Sequence, residues 1–212
     1  MKPKLFPIGL CIFLIAGPAL AWWNEEWNSR REISVDGDAT GADIQGTVTD
    51  FPLLVRLHAG NFSYFGEVAE NGKDLRFQKN DETPLKHAVE KFDALNEVGL
   101  VWVRLPEVQG GTANPGFWMY YGNAEAPDGS DAKALYDVNQ ALVYHFIEGQ
   151  PLPQDATAYG THAAGAEVTI DPAGWIGAAA KFTGAGPITI RPAPQLAVDP
   201  DKGWTFSAWV KI

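Results

Sequence analysis

The sequence predicts an all-β fold: a β-sandwich followed by an incomplete jelly roll. Three observations carry that expectation. Side chains alternate over short runs, as in Val101, Val103 and Leu105 against Leu100, Trp102 and Arg104, which is the period of a strand with one face in a core and the other free to differ. Eight tryptophans and eleven phenylalanines are spread among 22 glycines and 15 prolines, the composition of aromatic strands joined by tight turns. Helical spacing is confined to one short stretch, where Ala132, Leu135 and Val138 recur over little more than two turns.

Residues 1–21 read as a signal peptide. Lys2 and Lys4 precede an apolar run from Leu5 to Ile15, then Gly17-Pro18 and the small-residue site ending at Ala21. The run is shorter than the roughly 20 residues that span a bilayer. The chain is therefore expected to be exported, periplasmic or associated with the cell envelope, with no membrane span after cleavage. Cys11, the only cysteine, lies in that segment, so the processed chain has no thiol for a disulfide or a zinc site. It would carry 14 basic against 26 acidic side chains, net −12, which repels phosphate backbones and anionic lipid and argues against nucleic-acid partners. About 190 remaining residues suffice for one large sandwich, or for one domain and part of another.

The elements follow in order. The first strand runs from Trp27 through Ile33 and Val35 and ends at Asp36-Gly37-Asp38. Trp22 and Trp23 before it either stack on a sugar or plug the open end of the core, the second being the commoner role of such residues. Phe51 to Leu57 is a strand with Pro52 near its entry, where a missing donor costs little. A helical turn is expected around Phe62 and Phe65. Leu75-Arg76-Phe77, the polar turn Asn80 to Thr83 and a partner strand through Glu90 form a predicted hairpin. Val98 to Asn123 forms a second, with a connection too long for a two-residue turn.

Taken together, WNSRREISV, FPLLVRL, GKDLRF, VWVRLP and YYGNAEAP resemble, in order, the bacterial domain of unknown function 2341. The resemblance covers Trp22 to about Asn139. It is carried by Trp27 and Arg30 in the first strand, Asp74-Leu75-Arg76-Phe77, Trp102-Val103, and Tyr120-Tyr121-Gly122-Asn123. Lys73 splits the usual glycine-aspartate pair, and Ser29 stands where an aromatic is usual. The resemblance implies a β-sandwich, an exported setting, and neighbours that are lectin-like sandwiches or proton-channel modules of the MotA/TolQ/ExbB type. It implies no catalytic residue.

Domain boundaries are expected at 22–140 for this sandwich and 141–212 for a second unit. From Ala141 the strand pattern restarts at Leu142 to Phe146, then Ala166 to Ile170, Gly177 to Phe182, Ile188 to Ile190 and Trp204 to Ile212. The order YHFIEG, IGAAAKFTG, WTFSAWVKI resembles the first half of a laminin-G or concanavalin-A-like jelly roll, which implies glycan or protein binding, sometimes with calcium. A jelly roll needs about eight strands, so the second unit is expected to be truncated, with any membrane module beyond Ile212.

Chemistry is sparse. His58, His87, His145 and His162 lack metal-site spacing, and the pairs Glu67/Glu70 and Asp81/Glu82 fall in loops where acids face water. No GxSxG elbow or phosphate loop occurs. No cofactor is expected; Asp155, Asp171, Asp199 and Asp201 are loop carboxylates suited to calcium in a complete second domain. The leading expectation is a non-enzymatic binding or envelope-interaction module that recognises glycan or protein through aromatics on a sheet. Its candidate ligand-binding residues are Trp102, Trp118, Tyr120 and Asn123. An accessory segment of a proton-channel transport system and a carbohydrate-active enzyme are the alternatives.

Overall fold

The computed structural model describes residues 22–147, 149–199 and 201–211. The predicted signal peptide lies outside them. Two antiparallel sheets pack face to face. One joins β1 (Ser29–Asp36), β7 (Ala113–Tyr121), β3 (Arg76–Lys79) and β4 (Pro84–Leu85), in that spatial order. The other joins β2 (Thr47–His58), β6 (Val98–Gln109) and β5 (His87–Asp93). Alternation sends one row of each strand inward. Val55 and Leu57 of β2 and Val101, Val103 and Leu105 of β6 meet Phe77 of β3, Leu85 of β4 and Phe117, Met119 and Tyr121 of β7. Phe62, Phe65 and Leu75 close one end of this core, Phe65 opening the 3-10 turn Phe65–Glu67 and Phe62 preceding it. Each fully buried side chain of this size contributes about 1.5–3 kcal/mol.

The fold class is as the alternation predicts, but of the two predicted hairpins one is absent and the other is short. β6 and β7 are joined by residues 110–112, yet they hydrogen-bond in opposite sheets, so the connection is an arch across the core. Gly110 permits it, because a Cβ there would lie 2.0 Å from the Ile44 carbonyl oxygen, and Gly111 takes φ +70°. Each strand is also central in its sheet, β6 between β2 and β5 and β7 between β1 and β3, with its apolar row turned inward. The other hairpin is real but only two residues deep: Phe77 and Gln78 pair with Leu85 and Pro84. At Lys86 the chain crosses over, and His87 begins pairing with β6.

Downstream, α1 (Ala132–Leu135) is a single turn capped by Asp131, whose carboxylate accepts from the Ala134 N–H. The strand predicted at Leu142 to Phe146 is reduced to one bridge, Tyr144 to Asp155, and Phe146 at φ 55° breaks its extended course. Two small ladders follow: β8 (Ala163–Ala166) with β11 (Ile188–Ile190), and β9 (Thr169–Asp171) with β10 (Ala179–Lys181). The expected final strand has no ladder over residues 204–211, and Trp204, Phe206 and Trp209 are exposed. Strand geometry without a neighbour leaves its backbone groups to water.

Candidate ligand-binding surface

Side chains that alternate away from the core form the outer faces of the two sheets. Across β1, β7 and β3, register places Arg30, Tyr120 and Arg76 in one row and Glu32, Trp118 and Gln78 in the next. An aromatic flanked by a carboxylate and a guanidinium is a surface able to recognise polar ligands that carry an apolar face, while Gln78 of the same row is buried.

This outer face is roofed by the residues that precede β1. The Arg30 guanidinium carbon lies 4.1 Å from the centre of the Trp118 ring and 4.9 Å from that of Trp22. Arg30 Nη1 also donates to the Tyr120 hydroxyl at 3.0 Å. Trp22 and Trp23 meet Tyr120 edge-on at 5.6 and 5.5 Å, and Trp23 lies 5.0 Å from Trp27. Trp27 is buried, its indole N–H donating to the Asp74 carbonyl at 2.7 Å. The stack is open at its rim: Trp22 and Glu32 are exposed, Arg30 and Trp118 half-buried. Trp22 and Trp23 thus cover a sheet face instead of plugging the end of the core.

The motif residues beneath this surface are joints of the fold. Asp74 is fully buried, and its carboxylate accepts from the backbone N–H groups of Ala69 (2.9 Å), Gly122 (2.8 Å) and Asn123 (3.0 Å). Arg76 donates to the carbonyls of Lys73, Leu75 and Pro127 at 2.7–2.9 Å. Charge-assisted hydrogen bonds of this kind are roughly twice as strong as neutral ones. They tie the loop before β3 to the end of β7, which sets the position of Trp118 and Tyr120.

Of the predicted site residues, the structure brings together Trp118 and Tyr120, with Tyr120 buried under the tryptophans. Asn123 is a turn residue at the end of β7, its side-chain oxygen accepting from the Glu125 N–H. Trp102 lies on the outer face of the other sheet, packed against the cluster of Ala88, Leu135 and Tyr136. There His145 sits 5.6 Å from the Trp102 ring, donates from Nδ1 to Glu90 at 2.9 Å, and meets the Tyr136 hydroxyl through Nε2 at 2.7 Å. Burial, and then the Glu90 charge, push the Tyr136 phenol well above its ordinary range, so it stays protonated. This chain of groups is closed on itself and serves to dock residues 136–146 on the sheet.

Sequence reasoning singled out Arg30 and Asp74 only as motif residues, without a role, and missed the Glu90–His145–Tyr136 chain. For Asp74 the available signal was its place in the Gly72-Lys73-Asp74-Leu75-Arg76-Phe77 motif. Asp155 is occupied as a loop organiser, accepting from the N–H groups of Val143, Thr157 and Thr161 and from the Thr157 hydroxyl. Among the described residues no group of three or more His, Cys, Asp or Glu side chains could hold a metal ion.

No curated protein and no solved structure matches the chain. Residues 71–158 are similar to the family described as Domain of unknown function (DUF2341), a segment that holds Asp74, Trp102, Trp118, Tyr120 and Asp155 but not Trp22, Trp23, Trp27 or Arg30.

Proposed function

We propose that this protein is an exported, non-enzymatic binding module that recognises a glycan or envelope protein through the outer face of the four-stranded sheet. The observation that carries this reading is the Trp22–Arg30–Trp118 stack, whose exposed rim is flanked by Glu32 and held on a rigid sheet. Aromatic rings supply area at low entropic cost, and the neighbouring polar groups select among ligands. The resemblance of residues 141 onward to a laminin-G-like sandwich points the same way. Export accords with the charged, apolar and small-residue order of residues 1–21.

The test is a glycan array and an envelope-protein capture with the processed chain, each repeated with Trp118→Ala and Arg30→Ala. Loss of binding in Trp118→Ala with an unchanged fold supports the reading. Binding that survives both substitutions sinks it. Copurification with a TolQ-type channel subunit in the absence of ligand binding favours the accessory role, and turnover on a polysaccharide panel favours an enzyme. Among the described residues no helix is long and apolar enough to cross a membrane.

A further inference from the structure

The row that crosses Trp118 holds one charge that the fold leaves uncommitted. Register sets Glu32 of β1 on one side of Trp118 and Gln78 of β3 on the other. Gln78 is out of a ligand's reach: it is 2% exposed, and its Oε1 is buried without a hydrogen-bond partner. Glu32 is exposed, and among the described residues its carboxylate takes part in no hydrogen bond or ion pair. Its position is nevertheless defined. A Cβ on Gly116, two residues before Trp118 on the same face, would lie 3.0 Å from Glu32 Oε1 and 2.9 Å from the Ile33 carbonyl oxygen. Glycine there leaves room for the carboxylate to lie low over β7, close along the strand from the tryptophan.

The cations of this face are already engaged. Arg76 donates to three backbone carbonyls, and Arg30 is half-buried between the Trp22 and Trp118 rings while donating to the Tyr120 hydroxyl. A ligand that stacks at the open rim therefore meets the exposed carboxylate as its nearest free charge. A carboxylate only accepts hydrogen bonds, and those from hydroxyl or ammonium donors are of the strong, charge-assisted kind. An acidic ligand would place like charges side by side, which discriminates against it at close range. The net charge of the processed chain, −12, has the same sign and acts at longer range.

We propose that Glu32 is the specificity-determining residue of the Trp118 surface, and that the ligand is a non-acidic saccharide, neutral or amino. One sugar ring stacks on the tryptophan and donates hydroxyl or ammonium hydrogens to the Glu32 carboxylate. This rests on the glycan reading above and narrows it to one class, with uronic-acid and sulfated glycans excluded.

The test is a calorimetric titration of the processed chain with cellotetraose, chitosan tetrasaccharide and tetragalacturonic acid, repeated with Glu32→Gln, which keeps the side-chain volume and removes the charge. Cellotetraose or the chitosan tetrasaccharide is expected to bind about tenfold or more tighter than the acidic sugar, the size of effect set by one charge-assisted hydrogen bond. In Glu32→Gln that preference is expected to shrink about tenfold. Gly116→Ala, whose methyl displaces the carboxylate, is expected to shift the preference the same way. Tetragalacturonic acid bound as tightly as the other two, a preference unchanged in Glu32→Gln, or binding of none of the three would each overturn the role of Glu32. In the first two cases, loss of binding in Trp118→Ala would leave the wider reading intact. In the third, that reading would stand or fall on the array and the envelope-protein capture.

Discussion

The two outer faces of the sandwich are covered in different ways. On the four-stranded sheet, Trp22, Trp23 and Trp27 from the start of the described chain lie over Tyr120 and Arg30, and the contacts are rings and a guanidinium with an open rim. On the three-stranded sheet, Leu135, Tyr136, Val143 and Ala156 cluster with Ala88 and Trp102, and the contacts include a sealed Glu90–His145–Tyr136 chain. A cover of stacked rings and a guanidinium tolerates water at its edge, because its rim, Trp22 and Trp118 around Arg30, is not built on a buried charge pair. A cover built on a buried carboxylate does not, because removing one partner strands the other. The first face is therefore suited to exchange contacts with a ligand, and the second to hold the chain together.

The largest effect is expected at the buried joint beneath the open face. Asp74→Ala leaves three backbone N–H groups without their shared carboxylate and should lower unfolding free energy by about 4 kcal/mol, measured by urea denaturation. Next comes the sealed cover: His145→Leu strands Glu90 and should cost about 3 kcal/mol. The double variant Glu90→Gln with His145→Leu should recover much of that loss, because no uncompensated charge remains; additive losses would remove the sealed-chain account.

His87 gives the comparison a pH axis. Its ring titrates near 6.5 when unfolded and about 4 when buried, so the stability it contributes is complete above pH 6.5 and is lost as pH falls through 4. The loss amounts to roughly 3 kcal/mol at its limit, and the contribution should vanish from the pH profile of melting in His87→Phe. A profile identical to that of the parent chain would place the titration elsewhere. The smallest stability effect belongs to the open cover. Trp118→Ala should cost only about 1 kcal/mol, that of a half-exposed cation–π contact and its area, while abolishing ligand binding on the array.

Much of this architecture is legible in the chain. The inward row of β7, Phe117, Met119 and Tyr121, follows from side chains that change sides at every residue, and so does the outward pair Trp118 and Tyr120. Asn123 after Gly122 reads as a turn and is one. The arch between β6 and β7 is not legible, because a glycine-rich connection of this length serves a hairpin or a crossing equally well. What decides it is the pairing of each strand with neighbours distant in sequence.

The candidate surface divides in the same manner. That tryptophans would occupy a sheet's outer face is visible in their spacing, but which ones share a face is not: Trp102 and Trp118 alternate alike and end on opposite sides of the molecule. Asp74, Gln78 and His87 look like ordinary polar residues flanking strands. Their burial depends on what packs over them, the 127–131 segment above all.

Local alternation and turn chemistry by themselves determined that this protein is all β, where its main strands run and which side of each is apolar, since those properties depend only on near neighbours along the chain. Which sheet each strand joins, which outer face is sealed and which stays open, and where buried polar atoms lack partners were decided by the tertiary structure. Those properties arise from contacts between residues tens of positions apart, and no local pattern encodes them.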